Sequence, residues 1–289
     1  MNALRPLLEK TAAFLDLVKF AHTIFAMPFA LMAVLVVSDG LPPLAPFLWI
    51  LLAMVSARTA AMTFNRIADR TIDARNPRTR NRPLQTGRVK LWEAWTLWAV
   101  ASGLFILAAG RLNPLAFTLS WPVLAILCGY SFIKRFAPVA HLVLGLALGC
   151  APLGAWIALA GRIEAPPLVL GLAVLFWVAG FDVIYACQDD ELDKNLGLHS
   201  LVTALGRRRA LLASRLFHVL AAALLLVFGA TAHLGGWYYA GVVIAAVALA
   251  WEQSLVSPGD LSRVNTAFFT ANGLVGLSLF GFTAADILL

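Results

Sequence analysis

The sequence predicts an all-α, polytopic membrane protein in which nine transmembrane helices form one bundle around a central cavity. Three observations support this fold class: 61% of the 289 residues are hydrophobic, only 13% are charged, and the apolar residues are grouped in long segments. A soluble protein of this size carries about 25% charged residues. So few charges exclude a soluble enzyme, and they also exclude a nucleic-acid-binding protein despite the net charge of +7.

Each predicted span is a segment of about 20 predominantly apolar residues, the length that crosses the hydrocarbon core of a bilayer. The nine segments are Phe20–Val37, Leu44–Phe64, Leu91–Ala109, Leu112–Ile133, Val139–Ala160, Pro167–Cys187, Ala210–Thr231, Leu234–Trp251 and Val264–Leu288. The charged positions in residues 1–19 argue against a cleaved signal peptide and predict a short amphipathic helix at the membrane surface. Because the connections between spans are short, we expect residues 1–289 to form a single integral membrane domain.

The basic residues determine the predicted orientation in the membrane. All but four of the 22 Lys and Arg residues fall in the N-terminal segment or in the loops on the same side of the membrane. The opposite loops contain Arg111 and Arg162, and Arg58 and Arg215 fall inside spans. Loops rich in Lys and Arg stay in the cytoplasm. The N-terminus and the long loops are therefore predicted to be cytoplasmic, in a bacterial-type inner membrane.

Two of these cytoplasmic loops carry matching stripes of polar residues. On a helix, residues i and i+4 are neighbours on one face. The first stripe consists of Asn65, Asp69 and Asp73, and the second of Tyr185, Asp189 and Asp193, with Asp182 on the same side. Each stripe carries two carboxylates that repel one another, and Mg²⁺ would bridge such carboxylates to phosphate oxygens. A solvated loop is the simpler interpretation of one Asp pair, but two equivalent pairs favour a metal site.

The two loops are similar beyond their carboxylates. A Gly-Arg pair follows each stripe at nearly the same distance, as Gly87-Arg88 after Asp73 and as Gly206-Arg207 after Asp193. Four spans separate the loops, so the sequence predicts a weak repeat of four-helix units with a ninth helix added. A repeat pair generally places a shared site at the interface between its halves. The two stripes would then face each other across the central cavity.

Basic residues beside the first stripe predict a phosphate-binding site. A guanidinium group binds phosphate oxygens in a fork, and the first loop carries Arg70, Arg78 and Arg82 among its carboxylates. Lys134 follows the fourth span, one helical turn after Tyr130, and is interpreted as a diphosphate contact. The alternative for Lys134 is a side chain that extends to the membrane interface.

Arg58 lies inside the second span, where a charge costs about 2.5–3.5 kcal/mol. Such a residue is expected to be functional and to face the interior of the bundle. Arg58 would hold the carboxylate or phenolate of an aromatic substrate, or it would pair with an Asp. Asp182 is the other notable ionisable residue inside a span, and a salt bridge between helices is the alternative to a functional role for it.

Together these motifs resemble the two signatures of the UbiA superfamily of intramembrane prenyltransferases. The first signature is matched by Asn65-x-x-x-Asp69-x-x-x-Asp73, followed by Arg78-Thr79-x-x-Arg82-Pro83 and Thr86-Gly87. The second is matched by Asp182-x-x-Tyr185-x-x-x-Asp189-x-x-x-Asp193. Arg58, Tyr130 and Lys134-Arg135 also fall where that family has such residues. The resemblance covers essentially the whole chain, including the nine spans.

The resemblance implies a Mg²⁺-dependent prenyl transfer at the bilayer. A polyprenyl diphosphate would be held between the two Asp motifs and ionise to an allylic cation, which an aromatic acceptor attacks to form a C–C bond. The implied metal ligands are Asn65, Asp69, Asp73, Asp189 and Asp193. The implied catalytic residues are Asp69, Asp73, Asp182, Asp189 and Asp193. The implied substrate-binding residues are Arg58, Asn65, Arg70, Arg78, Arg82, Tyr130, Lys134 and Tyr185.

The implied acceptor is a hydroxybenzoate or a dihydroxynaphthoate, in ubiquinone or menaquinone biosynthesis. One departure affects this choice, because the 4-hydroxybenzoate enzymes of the family usually have Asp directly after the first Asn, where this chain has Arg66. That departure favours a dihydroxynaphthoate-type acceptor. Two alternatives stay open: a UbiA-type prenyltransferase with a haem or lipid acceptor, and, from a different class, a secondary transporter.

Overall fold

The computed structural model describes residues 4–18 and 27–289, and the regular elements within them are helices. We number these helices α1 to α12 in chain order. They are α1 Leu4–Leu17, α2 Met27–Ser38, α3 Leu44–Ala68, α4 Arg70–Arg75, α5 Leu91–Leu112, α6 Pro114–Ile133, α7 Ala140–Ala160, α8 Ala165–Ala186, α9 Asp190–Asn195, α10 Leu201–Thr231, α11 Gly236–Ser254 and α12 Val264–Leu288. The predicted all-α class is confirmed.

Seven helices of the described residues are long and apolar enough to cross a membrane, and they coincide with seven of the predicted spans. These helices are α3, α5, α6, α7, α8, α10 and α12. The first predicted span includes residues 19–26, which lie outside the described residues, and its remainder is the 12-residue helix α2. The eighth predicted span is α11, of 19 residues, with Glu252 in its last turn. The polytopic class is confirmed, and the count of nine stays a prediction.

The predicted N-terminal helix is present as α1, and it packs against the protein itself. Ala13 and Leu17 are buried against Leu84, Val89 and Ala94, which lie before and at the start of α5. An ion pair between Lys10 Nζ and Glu93 Oε2, 2.5 Å apart, joins the same two elements. Helix α1 therefore covers the first of the two polar loops. Its predicted position at the membrane surface stays a prediction.

The core of the bundle centres on α8, which packs between α7 and α10. Helices α7 and α8 approach closely because glycines face each other at their contact. A Cβ atom added to Gly149 would lie 2.5 Å from the carbonyl oxygen of Gly171, too close for any side chain. Small residues allow this kind of close packing between membrane helices, where dispersion forces rather than water exclusion hold the helices together.

Helix α12 contains a wider π-helical turn over Ala267–Ala271, and a buried asparagine compensates for it. Asn272 Nδ2 donates to the carbonyl oxygens of Ala267 and Phe268, each at 3.2 Å, and to Glu252 Oε1 at 2.9 Å. Asn272 Oδ1 accepts from Trp177 Nε1 at 2.6 Å. Backbone groups inside a bilayer need partners from within the protein. Asn272 supplies them and fixes the turn that carries Phe268.

The two polar loops have the same local backbone geometry, as the predicted repeat requires. Asp69 (φ −91°, ψ 6°) ends α3 and precedes the six-residue helix α4, and Asp189 (φ −108°, ψ 5°) precedes the six-residue helix α9. The two matched glycines, Gly87 and Gly206, both adopt left-handed φ angles, 75° and 76°. Only glycine takes such angles without strain. The repeat is therefore visible in backbone conformation as well as in sequence.

The glycine contact between α7 and α8 leads to a stability prediction with a control on the same helix. Gly149→Ala places a methyl group against the backbone of α8, and we expect it to lower the free energy of unfolding by about 1–3 kcal/mol. Gly154→Ala meets no atom within 4 Å, so it should leave the Tm unchanged or raise it. Thermal unfolding of the detergent-purified variants measures both effects. Equal Tm values for the two variants would contradict the close-packing interpretation.

Candidate active site

The first Asp motif spans a break between two helices. Helix α3 ends at Ala68, and α4 begins at Arg70. The N–H of Asp69 nevertheless donates to the Asn65 carbonyl at 2.9 Å, and the N–H of Asp73 donates to the Asp69 carbonyl at 2.8 Å. The spacing predicted that Asn65, Asp69 and Asp73 share one face of a single helix. The structure has a separate short helix instead, but these i to i+4 bonds preserve the predicted spacing.

The carboxylates of the first motif are buried and paired with basic residues from elsewhere. Asp69 is 3% exposed, and its Oδ2 accepts from Lys134 Nζ at 2.6 Å and from Asn65 Nδ2 at 3.1 Å. Asp73 is 5% exposed, and its Oδ2 accepts from Arg82 Nη1 at 2.6 Å. Two predicted site residues, Lys134 directly after α6 and Arg82 in the loop after α4, therefore meet the motif.

Asp69 is incompletely satisfied by these contacts. Its Oδ1 is buried with no hydrogen-bond partner, and it lies 3.7 Å from Arg135 Nη2 in a longer ion pair. A buried carboxylate oxygen without a hydrogen bond is costly. A cation or a bound ligand group would relieve that cost.

The second motif is bound by residues of the first loop. The Arg78 guanidinium forks onto Asp189, with Nη2 on Oδ2 and with Nε 3.3 Å from Oδ1. Asn76 Nδ2 also donates to Asp189 Oδ1, at 3.2 Å, and Arg78 Nη1 donates to the Tyr185 hydroxyl at 2.9 Å. The two polar loops therefore meet, as the repeat predicts, and Arg78 and Asn76 join them.

The remaining acidic residues of the second loop differ in their surroundings. Asp190 is buried, and its oxygens accept from Arg207 Nε at 2.8 Å and Nη2 at 2.7 Å, which lowers the pKa of Asp190. This pair ties α9 to α10. Burial, followed by the charge of Asp189, raises the pKa of Asp193 to about 6. Asp190 is therefore structural, whereas Asp189 and Asp193 repel each other.

These donor groups fit a hard divalent cation, although the carboxylates do not converge around one point. Among residues 4–18 and 27–289, no three His, Cys, Asp or Glu side chains form a metal-binding group. Asp69, Asp73 and Asp189 instead bind Lys134, Arg82 and Arg78. Carboxylate and amide oxygens are the ligands that Mg²⁺ prefers. The unsatisfied Asp69 Oδ1 and the repulsion at Asp193 are the features that a cation would relieve.

An apolar cavity of about 280 Å³ lies beside the motifs, enclosed mainly by α3, α6, α7 and α8. Arg58, Tyr130 and Asp182 place the main polar groups in its wall, and Phe181 and Phe268 are among its aromatic residues. Arg58 therefore faces the interior, as predicted for a charge inside a span. Arg58 on α3 lies within about two helical turns of Asn65, and Asp182 on α8 lies within about two turns of Asp189. Tyr130 on α6 lies about one turn before Lys134.

Arg70, predicted to bind substrate, and Arg66, the departure from the family signature, both lie away from the cavity. Arg70 is exposed at the start of α4 and takes no part in the described ion pairs. Arg66 is buried, with Nε 3.4 Å from the Leu17 carbonyl and Nη1 3.3 Å from Asn65 Oδ1. Arg66 therefore joins α3 to the end of α1.

Asn76 and His141 reach the site although neither was predicted from the sequence, and Arg207 was noted only as part of the repeated Gly-Arg pair. His141 is 3% exposed on α7, and its Nδ1 lies 2.7 Å from Asp182 Oδ2. A polar residue inside an apolar span was the available signal for His141. Asn76 carries no sequence signal, and the repeated Gly-Arg pair does not show that Arg207 binds Asp190.

The ion pair between Arg207 and Asp190 leads to a test by double substitution. Arg207→Ala leaves the buried Asp190 carboxylate without its donor, and we expect a loss of about 1–3 kcal/mol of stability. The pair Asp190→Asn and Arg207→Gln removes both charges and should recover part of that loss. Thermal unfolding and hydrogen exchange at α9 report the effect. The assignment fails if the double variant is less stable than the single one.

Comparison with known proteins gives a consistent result over most of the chain. Residues 26–274 match the model of the UbiA prenyltransferase family. The chain is 32% identical over 250 residues to the 4-hydroxybenzoate octaprenyltransferase of Pseudomonas fluorescens, covering 86% of this chain and 84% of that protein.

Solved structures give the same result for the fold. The apo structure of a UbiA homolog from Aeropyrum pernix K1 superposes with a TM-score of 0.84 and 36% identity, covering 93% of this chain and 98% of the other. A UbiA homolog from Archaeoglobus fulgidus, bound to DMAPP and Mg²⁺, has a TM-score of 0.71 at 19% identity, covering 96% and 99% of the two chains. The latter likeness concerns the fold alone.

Proposed function

This chain belongs to the UbiA prenyltransferase family, and on that premise we propose that it transfers a polyprenyl group from polyprenyl diphosphate to an aromatic acceptor in respiratory quinone biosynthesis, with Mg²⁺. One observation carries the proposal. Helices α3, α6 and α8 each run from an apolar cavity to a polar rim, with Arg58, Tyr130 and Asp182 at the cavity. At the rim, Arg78 of the first loop binds Asp189 of the second motif. The diphosphate would bind at that rim, and the acceptor would bind in the cavity.

The diphosphate end of the substrate would be held by basic side chains that now pair with the motif carboxylates. Lys134, Arg82 and Arg78 now neutralise Asp69, Asp73 and Asp189. Mg²⁺ held by Asn65, Asp69, Asp73, Asp189 and Asp193 would supply Lewis-acid stabilisation of the leaving diphosphate. The three basic side chains would then bind diphosphate oxygens in place of carboxylates. Positive groups fixed in this way stabilise the charge that develops when the C–O bond breaks.

The cavity fits the acceptor and the reactive end of the prenyl chain. Its wall is mostly apolar, so water is kept from the allylic cation, and the π-face of Phe181 or Phe268 would shield the positive charge. Arg58 would bind the carboxylate of the acceptor through charge-assisted hydrogen bonds. Tyr130 lines the same wall and would contact the acceptor ring. The remainder of the prenyl chain would extend toward the bilayer.

Two acceptors compete in this proposal, a hydroxybenzoate and a dihydroxynaphthoate. The name of the Pseudomonas fluorescens relative favours the hydroxybenzoate. Arg66 favours the naphthoate on sequence grounds, but its contacts are with Leu17 and Asn65, outside the described cavity wall. Arg66 therefore gives no steric reason to prefer the larger ring. Purified protein offered both acceptors with a labelled prenyl diphosphate decides between them.

The same assay and a transport measurement separate this function from its alternatives. A haem or lipid acceptor would give a prenylated product only with those compounds. A secondary transporter would move substrate across the membrane of proteoliposomes without Mg²⁺ and would form no prenylated product. We place the reaction on the cytoplasmic side of a bacterial-type inner membrane, because the polar loops that carry the motifs hold most of the basic residues.

Two adjacent carboxylates provide a matched test of the metal and diphosphate site. Asp189→Asn should lower prenyl transfer at least about 100-fold, because Asp189 is proposed to hold Mg²⁺ at the diphosphate. Asp190→Asn should retain most of the activity, because Asp190 binds Arg207. A radiolabelled prenyl-transfer assay with and without EDTA measures both variants. Full activity of Asp189→Asn, or full activity of the wild type in EDTA, would contradict the metal assignment.

Arg58 leads to a prediction about the acceptor alone. Arg58→Gln should raise the KM for a carboxylate-bearing acceptor by about 10- to 100-fold, the value of a lost charge-assisted hydrogen bond. The KM for the prenyl diphosphate should stay unchanged. Arg162→Gln is the control, because Arg162 lies in an exposed loop beside Glu164. A rise in the KM for the diphosphate instead would assign Arg58 to the wrong substrate.

A further inference from the structure

We propose that the Asp182 carboxylate, oriented by His141, accepts the proton that leaves the aromatic ring after the new C–C bond forms. This inference rests on the proposed prenyl transfer to an aromatic ring and adds a role that the transfer itself leaves unassigned. It makes Asp182 a catalytic residue and His141 a positioning residue.

The position of Asp182 is the first support for this role. Asp182 lies on α8 and is the one carboxylate among the described residues of the cavity wall. Arg58 lies in the wall of the same cavity, on α3. If Arg58 holds the acceptor, the ring lies in the same enclosed space as the Asp182 side chain. A proton acceptor has to be within hydrogen-bond reach of the proton that it removes, either directly or through one water.

The contact with His141 is the second support. His141 Nδ1 lies 2.7 Å from Asp182 Oδ2, and the His141 side chain is 4% exposed. When Asp182 is ionised, its oxygen must accept this bond, so Nδ1–H donates. The bond fixes the carboxylate group with respect to the cavity, because α7 and α8 pack closely through Gly149 and Gly171. His141 thus acts on the reaction through the orientation of Asp182.

The other carboxylates are poorly placed for this step. Asp69, Asp73 and Asp189 lie at the rim and bind Lys134, Arg82 and Arg78. In the proposed function they also hold the metal ion. None of the three is in the described cavity wall. The other polar groups there include the positively charged guanidinium of Arg58 and the neutral phenol of Tyr130, and both are poor proton acceptors.

The proposed step balances in atoms and electrons. The allylic C–O bond breaks, and its electron pair leaves with the diphosphate. A pair of ring π electrons forms the C–C bond to the allylic carbon, which leaves one ring carbon tetrahedral and the ring positively charged. The C–H bond at that carbon then breaks, and its electron pair restores the aromatic ring. The proton goes to the Asp182 carboxylate, which becomes a carboxylic acid.

A simple salt bridge between α7 and α8 is the competing explanation for this pair. Such a bridge would stabilise the bundle without needing to face the cavity. A carboxylate inside a membrane span is costly, and such residues usually mark a site of chemistry. The two explanations differ in one measurable property, the sensitivity of the reaction to the mass of the departing ring hydrogen.

The test compares Asp182→Asn with wild type, using an acceptor that is normal or deuterated at the ring position attacked. The asparagine is nearly isosteric and still accepts a bond from His141, but it cannot take a proton. We expect kcat to fall by about 100-fold or more, with the KM for prenyl diphosphate unchanged. Because loss of the ring proton then limits the rate, the deuterium effect on kcat should be larger in the variant than in wild type.

Asp286→Asn is the structural control. Asp286 Oδ2 accepts from the N–H of Gly235 at 2.6 Å and so joins α12 to the start of α11, away from the described cavity wall. This variant should lower the Tm without changing the deuterium effect. His141→Gln and Asp182→Glu keep the carboxylate but misplace it. They should give intermediate kcat values with an enlarged deuterium effect, and they serve in place of Asp182→Asn if that variant does not fold.

The outcomes separate this inference from the function on which it rests. A wild-type protein that prenylates no aromatic ring overturns the proposed function and the inference with it. An active wild type, together with an Asp182→Asn variant of normal kcat, overturns the inference alone. A slow Asp182→Asn variant with the wild-type deuterium effect also overturns it, since the loss would then come from misplaced helices.

Discussion

The site depends on the neutralisation of buried carboxylates by basic side chains from other parts of the chain. Arg78 extends the same pairing between the two motifs, because it crosses from the first loop to the half-buried Asp189 and to Tyr185. Its guanidinium also lies 5.1 Å from the centre of the Tyr185 ring. Buried charges without partners cost several kcal/mol, so these ion pairs stabilise the folded site. In the proposed function, Mg²⁺ and the diphosphate would therefore replace these pairs.

Hydropathy predicted most of the fold because a bilayer imposes one length on every crossing helix. It failed where helices continue beyond the apolar segment. Helix α10 is assigned from Leu201, but its backbone leaves helical geometry at Gly206 (φ 76°, ψ 156°). The part that is continuous with the predicted span therefore begins at Arg207, three residues before Ala210. The breaks at Asp69 and Asp189 were also missed. They depend on single φ and ψ values that apolar composition does not encode.

Spacing predicted which residues gather at the site, but it did not predict their partners. The i to i+4 arrangement of Asn65, Asp69 and Asp73 is local, so the sequence is enough to place them on one face. The choice of Arg207 for Asp190 and of His141 for Asp182 depends on how helices pack in three dimensions. Arg70 lies beside Asp69 in sequence, but its side chain is exposed, and its role in diphosphate binding stays a prediction.

The close contact of α7 and α8 at Gly149 and Gly171 also limits how the apolar cavity can be enlarged by substitution. The two helices are in backbone contact there, so a larger side chain at either glycine would push α7 and α8 apart. The opposite walls, on α3 and α6, carry side chains whose size can change, such as Met62 and Leu127. Under the proposed function, substitutions meant to admit a bulkier acceptor ring should therefore begin on α3 and α6, and Gly149 and Gly171 should stay unchanged.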